Sequence, residues 1–312
     1  MANTIPATDA IPHLIGIGLR PHQYHEWLQK PPEQVCFLEA MTDNYLGHKG
    51  GPARSYLNQI GEMRCLLLHG VGLNIGSCED FCQDYVGALR ELVAETKPVV
   101  VSDHLSFTGI SGYYTHSLLP LPRTKPNAYH VNRKLAFLNE TIKHPLALEN
   151  PSRYLTFTDN ELSEAEFLVE TIRGTGSQML LDINNLFITC TNEGSDPFKE
   201  LAKIPKGSVA QYHIAGHQDR LGYLYDTHSG DIKPEVWELL GFALEVIGEA
   251  PVILERDDHK PMEITLEDWR CGKLPSQLSR SGKVEKPSKL HGISLPIPPG
   301  NPNCQPERLG SS

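Results

Sequence analysis

In this chain, residues able to ligate a metal recur where short apolar runs end. The densest group lies in HIAGHQDRLGYLYDTH, from His213 to His228, where His213, His217, Asp226 and His228 follow the apolar run Val209-Ala210-Gln211-Tyr212. Imidazoles and a carboxylate this close suit a metal ion, but so short a stretch cannot close a coordination sphere alone. Other runs end the same way. His69 closes one, His104 the next, then Glu149, then Asp182 with Asn185 just beyond it, and finally Glu255. Taken singly, a histidine at a strand end is more often hydrogen-bonded than ligating, and Asp182 or Glu255 could pair with Arg256 or a lysine. Taken together they are hard to explain without a cation, because buried carboxylates and imidazoles that lack one are costly. Added to Asp226, His228 and Asn185, they overfill a single tetrahedral or octahedral sphere, so more than one ion is expected. Glu149, in the middle of the set, is best placed to bridge two ions. Mixed nitrogen and oxygen ligation without thiolate suits iron, manganese or zinc.

The elements that must position these groups follow from the same runs. They are residues 13–20, 35–39, 65–70, 98–104, 145–150, 179–185, 209–213 and 251–258, and helical patterns separate most of them. A short helix is expected near His22–Lys30. A longer one is expected over Glu79–Thr96, with Phe81, Tyr85, Ala88, Leu89 and Val93 at helical spacing. Asn127–Lys143 reads as helix. Ser163-Glu164-Ala165-Glu166 is a capping box opening another, and Pro234 sits in the first turn of a helix running through Trp237, Leu240, Leu244 and Ile247. Continuous apolar runs are the mark of parallel strands buried on both faces. Their near-regular alternation with helices predicts an α/β (β/α)8 TIM barrel in preference to a doubly wound sheet, and in a barrel the C-terminal strand ends converge on one face. The pair Gly16 and Gly18 is not a dinucleotide fingerprint, since no third glycine follows at the required spacing.

Bulk properties narrow the function. The 312 residues carry a formal net charge of −10, with no basic block to engage nucleic acid or a membrane surface. No apolar run is long enough to span a bilayer, and the N-terminus lacks the regions of a signal peptide, so a cytoplasmic location is expected. The 7 cysteines give no disulfide framework. Cys36 and Cys65 fall within apolar runs. Cys78 and Cys82, four apart, are expected in a helix and lack the second pair a thiolate site would need. Residues 1–12 read as a flexible lead and 13–271 as the barrel. Residues 272–312, rich in Pro, Ser and Gly and containing Cys304, read as a flexible tail.

Several motifs jointly resemble one family. LLLHGVGLNIGS (66–77), VSDHLSF (101–107), LLPLP (118–122), LENPSRYL (148–155), SEAEFL (163–168), LLDINN (180–185), HIAGH (213–217), DTH (226–228) and LERDD (254–258) resemble the DUF692 family of multinuclear non-haem iron-dependent oxidases, across about residues 13–262. Two departures mark this chain. Met41 stands where the family pattern E-x-H-x-E-N-Y has histidine, and Ser102-Asp103-His104 replaces S-E-H. The family is similar to xylose-isomerase-like barrels such as endonuclease IV. By that likeness His69, His104 and Glu149 would hold one ion, Glu149, Asp182, His213 and Glu255 a second, and Asn185, Asp226 and His228 a third. Endonuclease IV has histidine in the place of Asn185. His217 and Asp257 would orient ligands or face substrate.

The resemblance implies two or three iron ions in mixed Fe(II)/Fe(III) states, O2 as co-substrate, and a cysteine of a ribosomally made precursor peptide as target. Thiolate coordination would lower the thiol pKa and fix the sulfur. Hydrogen abstraction from the cysteine β-carbon would then lead to a heterocycle, a thioamide or a carbon-excised side chain. A small leader-recognising partner protein is also implied. The alternative is a metal-dependent endonuclease or sugar isomerase on a similar barrel. That reading calls for clustered cations near the site, where only Arg153, Arg220 and Arg256 are candidates, each as easily structural. A metal-storage module is a third reading, which open coordination positions would separate from an enzyme.

Overall fold

The apolar runs become the strands of a closed barrel. The structure, a computed structural model, describes residues 14–47, 51–257 and 262–271. In chain order the strands are β1 (Ile15–Leu19), β2 (Phe37–Met41), β3 (Cys65–Gly70), β4 (Val100–His104), β5 (Phe107–Ile110), β6 (Tyr113–Leu119), β7 (Leu146–Glu149), β8 (Gln178–Asp182), β9 (Val209–Ala215), β10 (His217–Arg220), β11 (Tyr223–Asp226) and β12 (Val252–Glu255). The barrel order is β1-β12-β9-β8-β7-β4-β3-β2, every pairing is parallel, and β5–β6 and β10–β11 are separate antiparallel hairpins. This is the expected (β/α)8 TIM barrel. The lead and tail expected at 1–12 and 272–312, with Cys304, lie outside the described residues.

Strand parity builds the site. Leu67, Val100, Ala147, Leu180, Ala210 and Ile253 form a small apolar cluster, with Phe37 and Val99 packed against it, distinct from the large core between strands and helices. Successive side chains on a strand alternate between faces, so the residue two further on points the same way. That step leads from Leu67 to His69, from Ala147 to Glu149, from Leu180 to Asp182, from Ile253 to Glu255 and from Phe37 to Glu39. On β4 two such steps lead from Val100 through Ser102 to His104. The pairing of β8 with β9 shifts register between Met179 and Leu180, and this irregularity lets Gln211 and His213 face the same interior. The apolar cluster is thus the floor on which a polar layer rests.

Among the outer elements one helix departs from expectation. The helix expected from Glu79 starts at Gln83 and runs to Thr96, leaving Cys78 and Cys82 as exposed free thiols before its first turn. Local side chains occupy the backbone that would have begun it. Ser77 Oγ accepts from the Glu79 amide, while Lys134 Nζ donates to the carbonyls of Ser77 at 2.8 Å and Glu79 at 3.0 Å. QDRLGYLY forms most of the β10–β11 hairpin, turning at Leu221 (φ 61°) and Gly222 (φ 82°). The Asp219 carboxylate clips that turn by accepting from Gly222 N at 2.7 Å. The capping box at Ser163 and Glu166 forms as expected, opening the helix Glu164–Ile172.

Candidate metal centre

Two histidines aim the same nitrogen at one carboxylate. His69 Nε2 and His104 Nε2 each lie 3.0 Å from Glu149 Oε2. Their Nδ1 atoms are fixed from behind, His69 by Ser102 Oγ at 2.9 Å and His104 by the Gly70 carbonyl at 3.1 Å. Such back-side bonds select the ring orientation that leaves Nε2 for a ligand. Asp103 braces the same corner, accepting from the amides of Leu73 and His104. Burial works against a charge on His69, but Glu149 outweighs it and pushes the imidazole up to about 9. Burial pushes His104 down, and it pushes Asp103 up to about 7.

Glu149 belongs to a second cluster as well. Its Oε1 lies 3.5 Å from His213 Nδ1, which is also 3.1 Å from Glu255 Oε2. Asp182, fully buried, completes the group. Its Oδ1 accepts from Asn185 N at 2.7 Å, capping the helix Ile183–Glu193. Burial, reinforced by Glu149 and Glu255, pushes Asp182 well above the usual carboxylate range. His69, His104 and Glu149 each offer a ligand atom, all within 4.8 Å of one another, and so do Glu149, Asp182, His213 and Glu255.

These groups fit a cation better than they fit each other. Asp182 Oδ2 and Asn185 Oδ1 are buried with no hydrogen-bond partner, and Glu149 Oε2 and His213 Nδ1 have only the clusters' own imidazoles and carboxylates against them. One such atom left bare costs about 1–3 kcal/mol, so more than one at the same spot is a heavy burden unless an ion satisfies them. The donor set, imidazole and carboxylate without thiolate, suits iron, manganese or zinc. Two clusters sharing Glu149 can hold more than one ion.

At the rim, His228 Nε2 lies 3.0 Å from Asp226 Oδ2 and 3.7 Å from Glu255 Oε2, while its Nδ1 lies 3.2 Å from Asp257 Oδ2. Asp257 is also paired with Arg20 at 2.6 Å. Asn185 turns its amide nitrogen to the Asn150 carbonyl, leaving Oδ1 bare. His217 Nδ1 contacts Asn184 Oδ1 at 2.8 Å, and Asn184 Nδ2 donates to Asp226 Oδ1 at 3.0 Å. The expected residues therefore meet on one face. Asn185, Asp226 and His228 line its edge, where His228 and Asp226 are as close as the imidazole–carboxylate pairs of the two clusters.

Three contributors went unread in the sequence: Glu39, Gln211 and Asn184. Glu39 Oε2 lies 2.9 Å from His213 Nε2 and also accepts from Gln211 Nε2. Strand parity was the available signal, since Glu39 follows Phe37 by the same two-residue step that leads to His69, Glu149, Asp182 and Glu255. Two of the three candidate cations for a phosphate site are engaged elsewhere. Arg153 pairs with buried Glu164 at 2.6 Å and bonds the Leu121 carbonyl, and Arg220 packs over the Tyr225 ring.

Relatives and structures agree with this architecture. A UPF0276 protein of Caulobacter vibrioides is 35% identical over 269 residues, covering 84% of this chain and 96% of that one. A UPF0276 protein of Chromobacterium violaceum is 37% identical over 257 residues, covering 82% and 92%. Among solved structures, endonuclease IV from Thermus thermophilus superposes with TM-score 0.56 at 14% identity, covering 83% of this chain and 98% of that one. The 3-keto-D-glucoside 4-epimerase YcjR from E. coli gives 0.54 at 14% identity, with the same coverage of 83% and 98%. At that identity these structures speak for the xylose-isomerase-like barrel alone. The model of the RiPP precursor modification enzymes MbnB/TglH/ChrH matches residues 14–270, which is nearly all of the described barrel, and the chain belongs to that family.

Proposed function

We propose that this enzyme uses O2 and a multinuclear iron centre to oxidise a cysteine in a ribosomally synthesised precursor peptide. The observation that supports it most is the Glu149 carboxylate, 2% exposed and shared by two ligand clusters, in a chain from a peptide-modifying family. His69, His104 and Glu149 would hold one ion, and Glu149, Asp182, His213 and Glu255 a second. Asn185, Asp226 and His228 would hold a third. Bound there, iron in mixed Fe(II)/Fe(III) states would supply one-electron redox chemistry and Lewis acidity toward a thiol.

The chain's own groups arrange the approach. Asp257 sits at the rim between Arg20 and His228 and fixes the His228 ring. Burial pushes His217 below its ordinary value, which keeps the imidazole neutral near pH 7 and able to accept the thiol proton. The β10–β11 hairpin, with Leu221 fully exposed at its tip, borders the site and is where peptide selectivity is to be sought. A small partner protein recognising the leader would bring the peptide in, and the reaction would take place in the cytoplasm.

Elemental analysis of the purified protein should find two or three irons per chain. Given O2 and a cysteine-bearing precursor peptide, it should change that peptide's mass at the cysteine, and a Cys→Ala peptide should stay unchanged. Zinc alone, with no iron-dependent activity, overturns the proposal.

A further inference from the structure

Glu39 lies outside both ligand clusters yet touches one of their members. It is 6% exposed, and its Oε2 lies 2.9 Å from His213 Nε2. The Gln211 amide nitrogen donates to the same oxygen and sits 2.7 Å from His213 Nε2. An ionised carboxylate oxygen only accepts, so the bond to Glu39 puts the proton on His213 Nε2; the Gln211 amide nitrogen, itself a donor, is then spent on Glu39 and only packs against that nitrogen. In the neutral ring the lone pair is then on Nδ1, the atom facing Glu149 and Glu255 with no donor of its own. Three lone-pair-bearing groups turned toward one point repel unless a cation lies between them.

His69 and His104 are set the other way round. They face Glu149 through Nε2 and are held at Nδ1 by a hydroxyl and a backbone carbonyl, both neutral. Of these imidazoles only His213 has a carboxylate at its back. A carboxylate there fixes the tautomer and makes the ring a stronger donor.

We propose that Glu39 is a positioning residue, which holds His213 as the Nε2–H tautomer and thereby sets the affinity of the position formed by Glu149, Asp182, His213 and Glu255. This rests on the reading of that cluster as a metal site. Gln211 is its support, keeping the Glu39 carboxylate turned to His213.

The test is Co(II) titration of metal-free protein against a competing chelator, followed by visible absorption, which responds to ligand identity. Glu39→Leu should weaken one Co(II) position by about 10–100-fold and leave the His69–His104 position loaded. It should reproduce the spectrum of His213→Ala, and the double variant should bind no more weakly than His213→Ala alone. Glu39→Gln keeps an acceptor for Nε2–H and should restore part of the affinity. If Glu39→Leu does not fold, Glu39→Gln decides, because its loss of charge should still weaken that one position. Unchanged affinity in the variant that folds, or penalties that add in full on His213→Ala, overturn the proposal while the metal site stands. Wild-type protein that takes up no Co(II) overturns both.

Discussion

Asp182→Asn should separate stability from metal binding in opposite directions. In the metal-free protein Asp182 Oδ1 caps a helix, while Oδ2 is buried beside Glu149 and Glu255 with no donor. Asparagine keeps the capping oxygen and puts an amide where Oδ2 was, offering those carboxylates a donor. Relief of one bare buried acceptor is worth about 1–3 kcal/mol. Loss of a charge from a helix N-terminus costs about 0.3–1 kcal/mol. The net gain of about 1–2 kcal/mol raises the unfolding temperature of a barrel this size by roughly 2–8 °C. Metal reverses the order, because an ion at 100 times its Kd stabilises wild type by about 2.7 kcal/mol, and the variant forfeits most of that. Scanning calorimetry on chelator-treated and metal-loaded samples reads both effects. The pH dependence has a definite sign. The folded carboxyl lies well above its ordinary value of 3.8, so between that value and its own the folded state binds the extra proton. Metal-free wild type therefore loses this part of its stability as pH rises through that window. The variant's advantage should be smallest near the unfolded value and full above the folded one. A metal-free Asp182→Asn less stable than wild type, with its metal-induced rise intact, would refute the reasoning.

Other consequences are as direct. His69→Ala and Glu149→Ala should both lose metal and activity, by elemental analysis and peptide mass spectrometry, and full activity in Glu149→Ala would remove the bridge. Gly216→Ala puts a Cβ 2.5 Å from the Ser229 carbonyl oxygen and 2.7 Å from that of Gly230, displacing the segment next to His228. Activity should fall by about 100-fold, as expected for a misplacement near 1 Å, and an unchanged rate would show that segment is free to move. Glu164→Ala takes the carboxylate from buried Arg153, 2.6 Å away, and one of two from Arg123, which keeps Glu193 at 3.0 Å, and should destabilise by about 3–5 kcal/mol in chemical denaturation. Dialysis against a chelator should lower the unfolding temperature of wild type and leave that of Glu149→Ala unmoved.

The sequence shows the barrel well, because strands buried on both faces must be continuously apolar and because metal-competent polar residues mark where six of them end. His69, His104, Glu149, Asp182, His213 and Glu255 are legible for the same reason, as polar residues terminating apolar runs. Glu39 ends such a run too, at the same two-residue step from Phe37. The β10–β11 hairpin was hidden because its turn uses Leu221 in a left-handed conformation, which no propensity favours. Gln211 was hidden by the register shift against β8, which turns it inward in the midst of a strand otherwise read as apolar. Asn184 and Asn185 adjoin at the start of one helix, and sequence alone cannot say which amide meets Asp226. The structure gives that contact to Asn184.

Charge balance bears on how many ions the site can take. Glu39, Glu149, Asp182, Asp226 and Glu255 crowd one end of the barrel, while Asp257 is offset by Arg20. Ligating imidazoles are neutral, so they offset none of that negative charge. A single divalent ion would leave the pocket strongly anionic in low dielectric, where unpaired charge is costly. One divalent and one trivalent ion would cancel those carboxylates. A third divalent ion, at a rim position where Asn185 offers a neutral oxygen, would leave an excess of positive charge. An incoming thiolate would remove part of that excess. On the proposed reading, then, the third ion should be the weakest held and should bind more tightly when a cysteine-bearing peptide is present. The peptide in turn should bind more tightly when that ion is present, since coupling between two ligands is reciprocal. Calorimetric titration of the peptide into protein loaded with two ions and with three measures that coupling directly. Equal peptide affinity in the two states would show that the thiol does not meet its metal at the rim.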